Sequence, residues 1–367
     1  MNRFYYYLIL INMIANIIAS VPAILLHFYK EGTVASMILG IIAGVILITI
    51  YTRFFNSYPG MTLPELLQKT TPKWFYLPFV FSLAILWFVA GLITLITFTF
   101  LLIRYLSPEM PIIQISLTII LSVIFGCLMK TQRVLFTTEI ILLITSPLIL
   151  FIFYKAYTSP NLEWDYVREA ALYINKIPNW HSFSSCFFLF LGVANLFIFN
   201  RYFTEKQTFG WKQISLITFI AAATLFTTYF IPIGFNGFEN INQLVYPWIS
   251  TTDSLKMDFF VIERVLFIFL LFYLGIAFIS ILIHWHASME FLRFIFKFEN
   301  VKFKGNSIGK FIPIPFFIAI TLYLVTELNE YQLFRYTSFF YGILVFVFPS
   351  MVLVFVYIKR RMKYAKS

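Results

Sequence analysis

Charge is scarce in this chain: only 12% of its 367 residues are Asp, Glu, Lys or Arg. No polar or Pro/Gly/Ser-rich stretch is long enough to form a separate soluble domain. Cysteine is nearly absent. Cys127 and Cys186 both fall in or at apolar runs, which argues against a disulfide framework and for small buried hydrophobes. There are four histidines, His27, His181, His284 and His286, with no phosphate-cradling Gly loop and no Cys/His cluster. That set composes neither a catalytic triad nor a metal centre, so no enzyme and no cofactor is expected. The one H-x-H, His284-Trp285-His286, turns its rings to different helix faces and reads as an interfacial end of a span.

Apolar surface is what the chain has instead. It is 60% hydrophobic and 21% aromatic, with mean hydropathy +0.86. About ten apolar stretches follow one another, each near the length of a helix crossing a hydrocarbon core about 30 Å thick. The expected spans are Tyr5–Phe28, Val34–Phe54, Phe75–Ile103, Ile112–Met129, Val134–Tyr154, Phe183–Asn200, Lys212–Ile233, Phe259–Ile283, Phe311–Val325 and Leu333–Tyr357. The fold class is therefore an all-α integral membrane bundle, one polytopic unit over residues 1–358 with a basic tail, 359–367. Without a small-residue cleavage site after it, the first run reads as a retained span.

The formal net charge of +11 would suggest nucleic acid in a soluble protein. Here the cations sit mainly in alternate loops and the tail, and no basic face with interleaved aromatics exists, so nucleic-acid binding is not expected. With both termini inside, cytoplasmic segments hold 19 of the 27 Lys and Arg. The positive-inside rule thus places both ends in the cytoplasm, next to anionic lipid headgroups.

Ten spans divide into halves at about 1–154 and 183–358. An odd number of spans per half forces opposite orientations, the 5+5 inverted-repeat layout of many secondary transporters. In that layout a substrate sits near the midplane, where the first helix of each half is broken. In span one, Asn12, Asn16 and Ser20 share a face, and Pro22 follows. In span six, Gly192 and Asn195 share a face. In span three, Gly91, Thr94 and Thr97 make a small, polar stripe. Two readings stand for each set: a ligand site, or polar and small residues that hold helices together. Glu139 is the one carboxylate well inside a span, either a proton or cation site or a partner of Arg133 or Lys130. Glu263 and Arg264 open span eight, and adjacent residues on a helix do not face each other, so each needs another partner.

Three further stretches carry a resemblance: Asn236-Gly237-Phe238-Glu239, Leu244-Val245-Tyr246-Pro247 and Ile262-Glu263-Arg264-Val265-Leu266-Phe267. Their order and spacing resemble the B subunits of bacterial spore-germination nutrient receptors, over essentially the whole chain. That family belongs to the amino acid–polyamine–organocation transporter superfamily. The resemblance implies a LeuT-like bundle with broken helices 1 and 6, a germinant-binding subunit, an A and a C subunit as partners, and the spore inner membrane as location. The chain departs from the family at three places: Asn16-Ile17-Ile18-Ala19-Ser20 lacks the usual glycines at the span-one break, Leu266 replaces an acid, and Tyr273 replaces a Trp. Many members also have an acid where Asn195 stands.

The first expectation is a non-enzymatic sensor of a small nutrient, an amino acid, that triggers germination. Its ligand-binding residues would be Asn16, Ala19, Ser20, Gly91, Thr94, Gly192, Asn195 and Tyr273, with Glu139, Glu263 and Arg264 in structural or coupling roles. The alternative is a working secondary amino acid permease of the same fold.

Overall fold

A computed structural model describes residues 2–16, 18, 20–255, 265–297, 302–303, 306–307 and 309–364. Fifteen α-helices lie among them. They are α1 (Asn2–Asn16), α2 (Ser20–His27), α3 (Thr33–Phe55), α4 (Leu63–Thr70), α5 (Lys73–Tyr105), α6 (Ile112–Cys127), α7 (Thr131–Tyr157), α8 (Trp164–Ala171), α9 (Trp180–Phe188), α10 (Leu196–Phe199), α11 (Trp211–Asn236), α12 (Pro247–Asp253), α13 (Val265–Phe296), α14 (Pro313–Glu327) and α15 (Glu330–Tyr364). A ribbon of two residues per strand pairs Lys302–Phe303 with Asn306–Ser307. The protein is an all-α, multi-pass membrane protein: among the described residues, seven helices are long and apolar enough to cross a bilayer. The bent pair α1 and α2 makes an eighth such span, and α6 and α14 are shorter apolar helices at the fourth and ninth expected spans.

Span one is broken as expected. Its two helices, taken from Arg3–Asn16 and Ser20–His27, meet at 52°. Span six is interrupted in another way. It runs on from Trp180 to Tyr202, but Leu189–Asn195 in its middle winds as a 3-10 helix. Runs of that tighter helix beyond three or four residues are uncommon and mark hinges or strain. Among the seven unbent spans of the described residues it is the most enclosed by protein.

Span six is central because its neighbours approach closely. Gly40 and Gly44 of α3 lie one turn apart; a Cβ at Gly40 would stand 2.5 Å from Cys186 Cβ, and one at Gly44 would stand 2.1 Å from the Phe190 ring. Gly-x-x-x-Gly faces let backbones approach where lipid supplies no hydrophobic drive between helices. The long α13 packs along α5, and α15 packs on α9. One contiguous core runs through both halves of the chain, from Phe4 to Ile358.

The loops gather on two faces. On one, Tyr6 donates to the Thr208 carbonyl at 2.6 Å, Asn56 to the Gln207 carbonyl at 3.0 Å, and Arg201 pairs with Glu65 at 2.8 Å. This face carries both ends of the bundle. On the other, Tyr29 donates to the Glu239 carbonyl at 2.8 Å, Lys30 pairs with Glu239 at 3.1 Å, and Arg104 pairs with Glu330. The Asn236-Gly237 pair ends α11 here. Gly237 takes φ +85°, which a residue with a Cβ rarely adopts, and Asn236 accepts from Ser250 at 2.6 Å. Pro247 starts α12, where its missing N–H costs nothing.

Candidate ligand site

The break in span one exposes carbonyls that a continuous helix would use internally. Side chains bond one of them and two carbonyls nearby. Asn16 Nδ2 donates to the Asn12 carbonyl at 2.8 Å and stands 3.2 Å from Asn12 Oδ1. Asn12 Nδ2 donates across to the Phe188 carbonyl at 2.6 Å, at the start of the 3-10 segment. From span eight, the Tyr273 hydroxyl donates to the Ala15 carbonyl at 3.4 Å. Beyond the break, the Ser20 hydroxyl meets the Tyr341 phenol, whose ring stacks on Phe188 at 4.0 Å between centroids. The structure thus brings Asn16, Ser20 and Tyr273 together around the bend. Ala19, Glu263 and Arg264 lie outside the described residues.

Asn195 stands further along span six. Its Oδ1 accepts from Trp87 Nε1 of α5 at 2.9 Å, and its Nδ2 is buried without a partner among the described residues. It lines a small void of about 20 Å³ with Asn12, Trp87, Phe188, His284 and Phe348. A second void of about 20 Å³ touches Tyr273, Trp248 and Ile14. Each has room for about one water. The structure is therefore contracted around these residues.

The glycines pack helices together. A Cβ on Gly192 would stand 2.6 Å from the Ile9 carbonyl oxygen and 2.8 Å from that of Leu8, so Gly192 lets span six lie on the α1 backbone. A Cβ on Gly91 would stand 2.5 Å from the Trp285 ring. Thr94 and Thr97 return their hydroxyls to the Ala90 and Ile93 carbonyls, at 3.2 and 2.8 Å. At these four positions the geometry is that of close packing.

Glu139 pairs with neither Arg133 nor Lys130. Its Oε1 lies 2.8 Å from Arg3 Nε, joining α7 to the start of α1. The expected place of His284-Trp285-His286 is also corrected. Span eight ends at Phe296, not at Ile283, which puts this triplet roughly 15 Å inside the helix end at about 1.5 Å per residue. All three side chains are buried. His284 Nδ1 bonds the Ser280 carbonyl at 2.7 Å, and His286 bridges the Cys127 carbonyl at 3.1 Å and Thr131 at 2.7 Å. A carbonyl only accepts, so Nδ1 carries the proton in both rings.

Sequence reasoning missed Trp87 and Tyr341. Neither shows any signal in its own stretch, because an aromatic in a chain this rich in aromatics is unremarkable until its polar atom has a partner. Tyr246, of the Tyr-Pro stretch, is buried outside the spans. Burial, and then the nearby Glu330 carboxylate, push its phenol well above the usual range, without a well-formed hydrogen bond between them.

Residues 5–332 match the family model described as spore germination protein. A search of curated proteins gives no match to the chain.

Proposed function

The chain belongs to the spore germination protein family, and from that premise we propose that it is the nutrient-binding subunit of a germinant receptor. It is a permease-like membrane protein with a role in spore germination. The finer reading is a non-enzymatic sensor of a small amino acid, seated at the span-one bend, in a 5+5 inverted-repeat bundle with both termini cytoplasmic. Its partners would be an A and a C subunit in the spore inner membrane.

One observation carries this reading. Exchangeable side-chain bonds gather at the bend and cross to span six: Tyr273 holds the freed Ala15 carbonyl, Asn16 bonds the Asn12 carbonyl, and Asn12 bonds the Phe188 carbonyl. A zwitterion offers the same donors and acceptors, so it can replace those bonds when the helices part. A ligand shifts such an equilibrium only by its difference in affinity between the contracted and parted states. The pairing of Glu139 with Arg3, and of Glu290 with Arg293, occupies both carboxylates that lie within the described spans, away from their ends, which favours sensing over ion-coupled transport.

The test is Asn16→Leu in spores. The dose of nutrient needed for dipicolinic acid release should rise at least tenfold while the chain's abundance is retained. An unchanged dose dependence would remove the bend from the site. Substrate-driven uptake into vesicles by the wild-type chain would favour the permease alternative.

A further inference from the structure

We propose that the recess between α2, α9, α15 and the 242–245 loop is a second binding site, for a small organic carboxylate anchored by Arg335. The recess has a volume of about 570 Å³, against about 20 Å³ for the void at Asn195. That is the size of a small-molecule pocket. It opens on the face opposite the termini.

Its lining has one sign of charge. Arg335 supplies it, His27 and His181 add imidazole rings, and no acid is among its described lining residues. Arg335 closes no ion pair among the described residues, whereas Lys30 and Arg104 on the same face pair with Glu239 and Glu330. An unpaired guanidinium offers a fork of N–H donors that matches a carboxylate in two bonds. A cleft of one charge sign also raises the local concentration of an anion.

The rest of the recess is prepared for an organic body. The Phe28 and His181 rings stack at 5.0 Å and 9°, forming a flat wall. His181 Nδ1 and the Ser338 hydroxyl stand 2.8 Å apart, which fixes that ring. Gln243 adds an amide at the rim. An exposed guanidinium beside a flat apolar wall selects a carboxylate with a planar or apolar body over inorganic anions.

The inference does not depend on the germinant-receptor reading, because binding can be measured on the isolated chain whether or not spores respond. The full chain is placed in phosphatidylcholine nanodiscs and probed by saturation-transfer NMR with benzoate and its neutral isostere benzamide. Benzoate should bind at least tenfold more tightly than benzamide. Arg335→Gln should abolish that preference, Arg335→Lys should keep part of it, and Lys30→Ala, which removes the same charge outside the recess, should leave it intact. Equal binding of the two probes to the wild-type chain overturns the proposal without reference to any variant. So does full benzoate binding by a folded Arg335→Gln chain. Phosphatidylglycerol nanodiscs separate the two sources of an anion. Benzoate binding that persists there supports a soluble ligand; binding abolished there assigns the recess to a lipid headgroup and overturns the proposal.

Discussion

Trp87 Nε1 donates to Asn195 Oδ1 at 2.9 Å, and this one bond fixes the amide of Asn195 so that its Nδ2 is left buried and unpartnered. An unmet donor in a low-dielectric interior is costly. It also makes the residue ready to bond a carboxylate or water that enters. Asn195→Leu leaves the Trp87 N–H without an acceptor, which lowers stability by about 1–3 kcal/mol. Thermal unfolding in nanodiscs, followed by tryptophan fluorescence, measures the loss. An unshifted melt would mean that the bond is dispensable.

Gly192→Ala forces a Cβ to within 2.6 Å of the Ile9 carbonyl oxygen. Overpacking of this kind costs about 1–3 kcal/mol. Gly192→Leu should therefore reduce the abundance of the chain in the membrane, and not only its response to nutrient. A normal level of Gly192→Leu by immunoblot would show that α1 and span six can separate freely.

The Arg3–Glu139 pair is half in solvent. The Arg3 side chain is 61% exposed and that of Glu139 is 11% exposed. Screening at Arg3 limits the coupling to about 1 kcal/mol. A double-mutant cycle with Arg3→Ala and Glu139→Gln should return that value in thermal unfolding. Coupling near zero would make the contact incidental; several kcal/mol would point to a functional latch.

Glu65 gives a pH dependence. Burial raises its carboxyl pKa, but bonds from the Thr62 N–H and hydroxyl, at 2.8 and 2.9 Å, and the Arg201 guanidinium outweigh it and hold the group below the usual carboxylate range. A carboxyl held low in the folded state adds stability that is fully present above its unfolded value, about 4.3, and is lost as pH falls through the folded value. Unfolding below about pH 4.3 should therefore be steeper with pH in the wild type than in Glu65→Gln. Equal slopes would show that the α4 cap contributes nothing ionic.

Hydropathy made the spans legible, because a bilayer demands about 20 apolar residues in a row. The bend after Asn16 was legible too, since Pro22 and three polar residues on one face are rare inside a span. Partners were not. Asn12, Asn16 and Asn195 could be marked as polar, but Phe188 and Trp87, 176 and 108 positions away from Asn12 and Asn195, could not be assigned as their partners. For Glu139 the sequence offers only the nearby cations Arg133 and Lys130 as ionic partners, whereas the fold supplies Arg3 from another helix. Gly40 and Gly44 stood in the sequence as Gly-Ile-Ile-Ala-Gly and their spacing could have pointed to the seat of span six. Nothing linear joins Arg335 to His27, because the recess exists only once four separate segments meet.

Release of dipicolinic acid from spores lacking this chain, across a panel of amino acids, sugars and salts, tests the central claim most directly. The account predicts loss of the response to one nutrient class, restored by the wild-type chain. A normal response to every nutrient would contradict it.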